Sequence, residues 1–212
     1  RGREDQEALL RQLILTMYEG FNGLQERPFA LLPAPSFLYL SKGHSTALTL
    51  LRYSILNRQG FTVVSGEVGS GKTTLLNRLL DEMKAGMTVG LINFTTRSFG
   101  DMAEWIMMAY GLPYKGKGKV ELYDDFVQFM IREYAAGRPV VLIVDEAQNL
   151  GIRGLEEIRM LSNVNAQKDY LLHVILVGQP ELRSLLQSPQ LRQLTQRVSV
   201  AYHLKPLTDE EV

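Results

Sequence analysis

The 212 residues carry 23 lysines and arginines against 23 aspartates and glutamates, with 45% of positions hydrophobic and 22% charged. That is room for one α/β domain with a single sizeable core, and a formal net charge of zero argues against nucleic-acid binding by bulk electrostatics, though not against a local basic patch. The lack of cysteine rules out disulfides, iron–sulfur clusters and thiolate zinc sites and suits a reducing compartment.

The opening RGREDQEALLRQ is polar and mixed in charge, unlike a secretory signal. Leu9, Leu13 and Met17 fall on one side of a helix predicted from Glu4 to Tyr18. Between Gln25 and Ser41, prolines 28, 33 and 35 among Phe29, Phe37 and Tyr39 preclude a regular helix and predict an extended aromatic arm. Helical spacing returns with Ala47, Leu48, Leu51 and Ile55, predicting a helix from Ser45 to Gln59.

After Gly60 the pattern becomes β runs alternating with helices. Strands are expected at Phe61–Ser65, Val89–Phe94, Val140–Val144, Leu171–Val177 and Arg197–Leu204. Helices are expected from Lys72 to about Met83 and around Met102–Ala109, Leu122–Met130 and Leu155–Leu161, with a further one opened by Pro180. Trp105, Met107 and Met108 are expected in the core. The longest largely apolar runs, Val140–Val144 and Leu171–Val177, are too short to cross a bilayer and suit strands buried on both faces. Such βα alternation predicts a mostly parallel sheet with helices on both sides. Thr208 and Glu211 have capping-box spacing, so a helix is expected to begin as the sequence stops.

Gly66-Glu67-Val68-Gly69-Ser70-Gly71-Lys72-Thr73 matches G-x-x-x-x-G-K-[ST] at every fixed position, between an expected strand and an expected helix. Glycines there let backbone N–H groups turn inward around α- and β-phosphates, and the helix N-terminus adds partial positive charge. Lys72 is expected to reach the β- and γ-phosphates and Thr73 to ligate Mg²⁺; Thr74 follows within the same nucleotide-binding segment. The third strand runs into Asp145-Glu146, expected to face the ligand crevice at the strand tips. Asp145 is assigned to Mg²⁺, partly through water. Glu146 is assigned to the attacking water, as a general base or by orienting it. The cofactors expected are thus ATP and Mg²⁺.

Gln179, after the fourth strand, is expected to contact the γ-phosphate or the attacking water. Asn93 is read either as a partner that holds Glu146 inactive or as a polar strand end without a regulatory role. Arg197, with Arg192 as its competitor, is expected to reach a neighbouring subunit's γ-phosphate. The loop bearing Lys115, Lys117 and Lys119 could meet DNA phosphates or acidic lipid, but a solvated loop is the favoured reading. His44 is read as a neighbour of the nucleotide base or a solvated histidine. The three histidines lack metal-site spacing.

The segments MYEGFNGLQERPFALLPAPSFLYLSKGH, GFTVVSGEVGSGKTTLL, VVLIVDEAQNL, LLHVILVGQPELR and LRQLTQRVSVAYHLKPLT resemble a group of bacterial AAA+ ATPases, the general secretion pathway protein A (ExeA/GspA-like) family. The likeness runs from about Met17 to the end and is nearest the branch accompanying exosortase and exopolysaccharide gene clusters. More distantly the chain is similar to the transposition ATPases MuB, TniB and TnsC.

The resemblance implies a three-layer αβα P-loop sandwich with a parallel five-stranded sheet of order 5-1-4-3-2 and a helical lid after it. It places Gln179 at the sensor-1 position, Arg197 at the arginine finger, and Phe37, Tyr39 and His44 near the adenine pocket. The organisation expected is a non-native leader over 1–16, an N-terminal arm and helix over 17–59 packing on the nucleotide site, an ATPase core over 60–207, and the start of a truncated lid over 208–212.

The function implied is an ATP-driven motor or switch that assembles or remodels a bacterial secretion, envelope or exopolysaccharide system. It would act as a ring or nucleotide-dependent oligomer with a protein of that system, in the cytoplasm or at the inner face of the inner membrane, without inserting into it. The alternative is an ATP-dependent DNA-binding transposition regulator, whose nucleotide motifs would be the same. DNA is the less favoured partner.

Overall fold

The computed structural model describes residues 39–83, 86–93, 101–166, 169–207 and 211. The chain divides between Leu38 and Tyr39 into two units, and every described residue belongs to the second. The helix expected over Glu4–Tyr18, Phe37 and the rest of the arm before Tyr39, and the capping residue Thr208 lie outside the described residues.

Helix α1 spans Lys42–Leu56, three residues earlier than its apolar spacing implied, because the Ser41 side chain caps it by accepting from the amide of His44. Strand β1 (Phe61–Gly66) leads through the glycine loop into α2 (Lys72–Met83). Strand β2 (Thr88–Asn93), α3 (Met102–Ala109), α4 (Lys119–Ala135) and β3 (Val140–Asp145) follow. A 3-10 turn over Ala147–Leu150 opens into α5 (Gly151–Leu161). A two-residue ribbon, β4 (Asn165–Ala166) against β5 (Asp169–Tyr170), precedes β6 (Leu172–Gly178). Then come α6 (Pro180–Leu186), a 3-10 turn at Pro189–Leu191, α7 (Arg192–Thr195) and β7 (Val198–Leu204).

The five long strands form one parallel sheet ordered β2-β3-β6-β1-β7, which is the expected 5-1-4-3-2 read in reverse. Strands β1, β3 and β6 are buried at every position, as their apolar runs require. Side-chain alternation divides that burial between two cores. Val140, Leu142 and Val144 face one way, with Val174 and Leu176, against α3 to α7. Val141 and Ile143 face the other way, with Ile175 and Val177, against Ala47, Leu51 and Ile55 of α1 and Leu75 and Leu79 of α2. Helices thus cover both faces, the three layers expected.

Phe126 and Phe129 of α4 stack at 6.0 Å and both meet the Tyr110 ring, filling the larger core. Met107 is buried there, but Met108, one residue on around α3, is 45% exposed, so the expectation of a buried methionine pair holds only for the first. The basic loop is not a free cationic patch: Lys117 pairs with Asp125 and Glu121, and Lys119 with Asp101 at 2.8 Å. No helix among the described residues is long and apolar enough to cross a membrane.

Candidate nucleotide site

Register brings three loops together. Ser65 lies beside Gly178 and Val144 beside Leu176, so the C-terminal ends of β1, β3 and β6 share one edge of the sheet. The glycine loop, the acidic pair and Gln179 leave from that edge, which is the ligand crevice of an open parallel sheet.

The loop has the backbone its glycines permit. Gly69 and Gly71 have φ of +78° and +83°, a region costly for L side chains. A Cβ on Gly66 would come within 2.6 Å of the Leu204 carbonyl oxygen. Buried Lys72 donates from Nζ to the carbonyls of Gly66 and Glu67, each at 2.8 Å, so its ammonium lies across the mouth of the loop. Ser70 is buried and its Oγ has no hydrogen-bond partner among the described residues. Glu67, Val68, Gly69 and Thr73 are exposed, while Thr74 is half-buried in the first turn of α2.

Thr73 Oγ1 donates to Asp145 Oδ2 at 3.2 Å, joining the start of α2 to the tip of β3. Asp145 Oδ1 accepts from the Glu146 amide at 2.9 Å. Burial pushes the Asp145 carboxyl above the ordinary carboxylate range, and these two donors pull it back. The adjacent Glu146 charge raises it further and Lys72 opposes that. A buried aspartate with one hydroxyl neighbour suits Mg²⁺, which takes few protein ligands and leaves the rest to water and phosphate oxygens. No cluster of three or more histidines, cysteines or carboxylates fit to hold a metal unaided occurs among the described residues.

Glu146 has φ +53°, an uncommon left-handed conformation for a side-chain-bearing residue. Its Oε2 accepts from Gln179 Nε2 at 3.0 Å and from Gln148 Nε2. Asn93 lies beside Asp145 in the β2–β3 register, but no hydrogen bond joins it to Glu146 among the described residues. Gln148, to which the motif reading gave no role, occupies the partnership considered for Asn93.

Of the other sequence-predicted residues, one lies elsewhere. Arg197 immediately precedes β7 at the opposite end of the sheet, where its Nη2 donates to Asn163 Oδ1 at 2.9 Å and its backbone carbonyl accepts from the Phe61 amide. Tyr39 is exposed, and its carbonyl accepts from the amide of Ser41. His44 is neither solvated nor free: it is buried, with Nε2 3.0 Å from the Ser70 carbonyl oxygen and Nδ1 2.8 Å from Ser41 Oγ. A carbonyl only accepts, so Nε2 carries the proton and Nδ1 accepts from the Ser41 hydroxyl. A Cβ on Gly71 would stand 2.7 Å from that Nε2.

In this sheet the strand bearing the glycine loop and the strand bearing the acidic pair are held apart by β6. That order is the one expected of AAA+ P-loop ATPases, and the chain is a nucleotide-binding ATPase domain of that class. A family model described as an AAA domain matches residues 55–186, and the chain belongs to that family. It is 40% identical over 197 residues to general secretion pathway protein A of Aeromonas hydrophila, a match covering 92% of this chain and 36% of that protein. The chain therefore spans little more than a third of that curated relative. Among solved structures it is similar to the ORC2 protein of Aeropyrum pernix, seen in ADPNP–ADP complexes, with TM-score 0.59, 18% identity, and coverage of 82% of this chain and 50% of that one. It is also similar to Cdc6p from Pyrobaculum aerophilum, with TM-score 0.58, 20% identity, and coverage of 84% and 50%. Those two likenesses establish fold alone.

Proposed function

We propose that this chain binds ATP with Mg²⁺ between the glycine loop and the tip of β3 and hydrolyses it there. The observation that carries this reading is the hydrogen bond from Thr73 to Asp145, because it unites the phosphate cradle and the acidic tip in one site. Backbone amides of residues 66–71 and the N-terminus of α2 would bind the phosphates, and Tyr39 would border the base. Lys72 would leave the loop carbonyls for β- and γ-phosphate oxygens, and Ser70 Oγ is an unused polar atom of the same cradle. Bound Mg²⁺, held by Thr73 and Asp145, supplies charge neutralisation on the phosphates. Glu146 would orient the attacking water and accept its proton at the carboxylate, while Gln179, hydrogen-bonded to Glu146, would face the γ-phosphate.

Arg197 is too far around the sheet to serve its own glycine loop, so its assigned role needs a second copy of the chain. Assembly into a ring or nucleotide-dependent oligomer would bring it to a neighbour's γ-phosphate. The 40% identity to general secretion pathway protein A supports a role in a bacterial secretion system. The role proposed is to assemble or remodel such a system, or a related envelope or exopolysaccharide system, in the cytoplasm or at the inner face of the inner membrane. DNA is less favoured as a partner, since Lys117 and Lys119 of the basic loop already face carboxylates.

The test is ATP turnover by wild-type protein and Glu146→Gln across a concentration series. Nucleotide binding should survive in the variant while turnover falls by at least about tenfold. Wild-type turnover per subunit should rise with concentration and drop on Arg197→Ala. Equal turnover in wild type and Glu146→Gln would remove Glu146 from its role, and concentration-independent turnover would remove Arg197 from its own.

A further inference from the structure

Gln148 has both ends of its side-chain amide committed, and each partner allows only one orientation. The backbone N–H of Gln179 can only donate, so the oxygen 3.1 Å from it is Oε1. The Glu146 carboxylate can only accept, so Nε2 is the atom that reaches Oε2. The amide therefore bridges the acid following β3 to the main chain at the end of β6. Space for the bridge comes from Gly178, where a Cβ would stand 2.4 Å from Gln148 Oε1. A 3-10 turn anchored by fully buried Ala147 fixes the approach, with the Asn149 amide donating to the Glu146 carbonyl at 2.9 Å.

The consequence falls on the carboxylate. Gln148 and Gln179 both donate to Oε2, while Oε1 has no protein donor among the described residues. One oxygen is held and the other is left for water. Glu146 sits on a left-handed backbone at a turn, and the two amides hold its side chain in one direction.

We propose that Gln148 is a positioning residue for hydrolysis: it holds Glu146 by Oε2 so that Oε1 faces the attacking water, and it registers Glu146 against Gln179. The inference rests on the reading of Glu146 given above. It assigns Gln148 no contact with nucleotide, so its loss should act on kcat and spare binding.

The test compares wild type, Glu146→Gln, Gln148→Met, Gln148→Ala and the double variant Glu146→Gln/Gln148→Met, in nucleotide affinity and single-turnover hydrolysis with the full chain. Gln148→Met keeps the volume and removes both hydrogen bonds. Each Gln148 variant should bind ATP within about twofold of wild type and hydrolyse it about tenfold to a hundredfold more slowly, the scale of a mispositioned catalytic group. In the Glu146→Gln background, Gln148→Met should cost little more, because the group it positions has already lost its function. Gln148→Met turnover within twofold of wild type, alongside a slow Glu146→Gln, would overturn the proposal and leave Glu146 in place. Equal losses of affinity and rate, or equal costs of Gln148→Met in both backgrounds, would make Gln148 a structural prop and overturn it too. A Glu146→Gln protein as fast as wild type would instead remove the reading beneath it.

Discussion

With φ at +83°, Gly71 lies where an L side chain is strained, and a Cβ there would also press on His44 Nε2 at 2.7 Å. Gly69, two residues earlier, has a similar φ of +78° but open space within 4 Å of its Cβ position. The pair separates backbone strain from contact. Strain alone costs about 1–2 kcal/mol per residue. In denaturant titrations without nucleotide, Gly69→Ala should lose about that much, and Gly71→Ala should lose more as the His44–Ser70 hydrogen bond is pushed apart. Equal losses would mean His44 yields without cost. The glycine motif itself is legible in the sequence, because its spacing carries its own mechanical reason. The roles of His44 and half-buried Gln148 are not: the Ser70 carbonyl and the Gln179 amide they meet are 26 and 31 residues away, and only the packing of α1 and β6 brings them close.

Helix α1 is pinned to the sheet by a second buried histidine. His173 in β6 meets the Gln59 carbonyl through Nδ1 and Ser54 Oγ through Nε2 at 3.3 Å. Burial lowers its pKa from 6.5 to about 4, and the Gln59 hydrogen bond offsets only part of that. Between those values the unfolded chain binds a proton that the folded chain excludes. This contribution to stability is therefore complete above about pH 6.5 and is lost as pH falls toward 4, with a ceiling of about 3 kcal/mol. Chemical denaturation at pH 7 and pH 4.5 should show that loss in wild type, and His173→Gln should be less stable at pH 7 but flatter across the window. An equally steep dependence in His173→Gln would assign the effect elsewhere. The strands themselves were legible from their apolar runs, all five within a residue or so at each described end. The β4–β5 ribbon was not, since two-residue strands have no period to read. The start of α1 was displaced because Ser41, a capping residue, lies outside the apolar stripe that marks the helix.

Across the domain, topology does the work that no local segment can. Thr73 and Asp145 are 72 residues apart and meet because β6 is inserted between β1 and β3 with all strand tips on one edge. Alternating side-chain direction in those fully buried strands makes the arrangement stable, since each supplies side chains to both cores. Arg197 emerges at the far end of the same sheet, which is why its proposed chemistry belongs to an assembly. The order of strands was accessible only through resemblance to a family; composition and period specify a parallel sheet but not which strand lies beside which. The claim on which the rest depends is that loop and acid serve one magnesium–nucleotide complex. Calorimetric ATP binding with and without Mg²⁺, in wild type and Asp145→Asn, tests it most directly. Magnesium should tighten binding to wild type and have a much smaller effect on the variant, with magnesium-free affinity nearly unchanged. The same magnesium enhancement in both proteins would contradict the account.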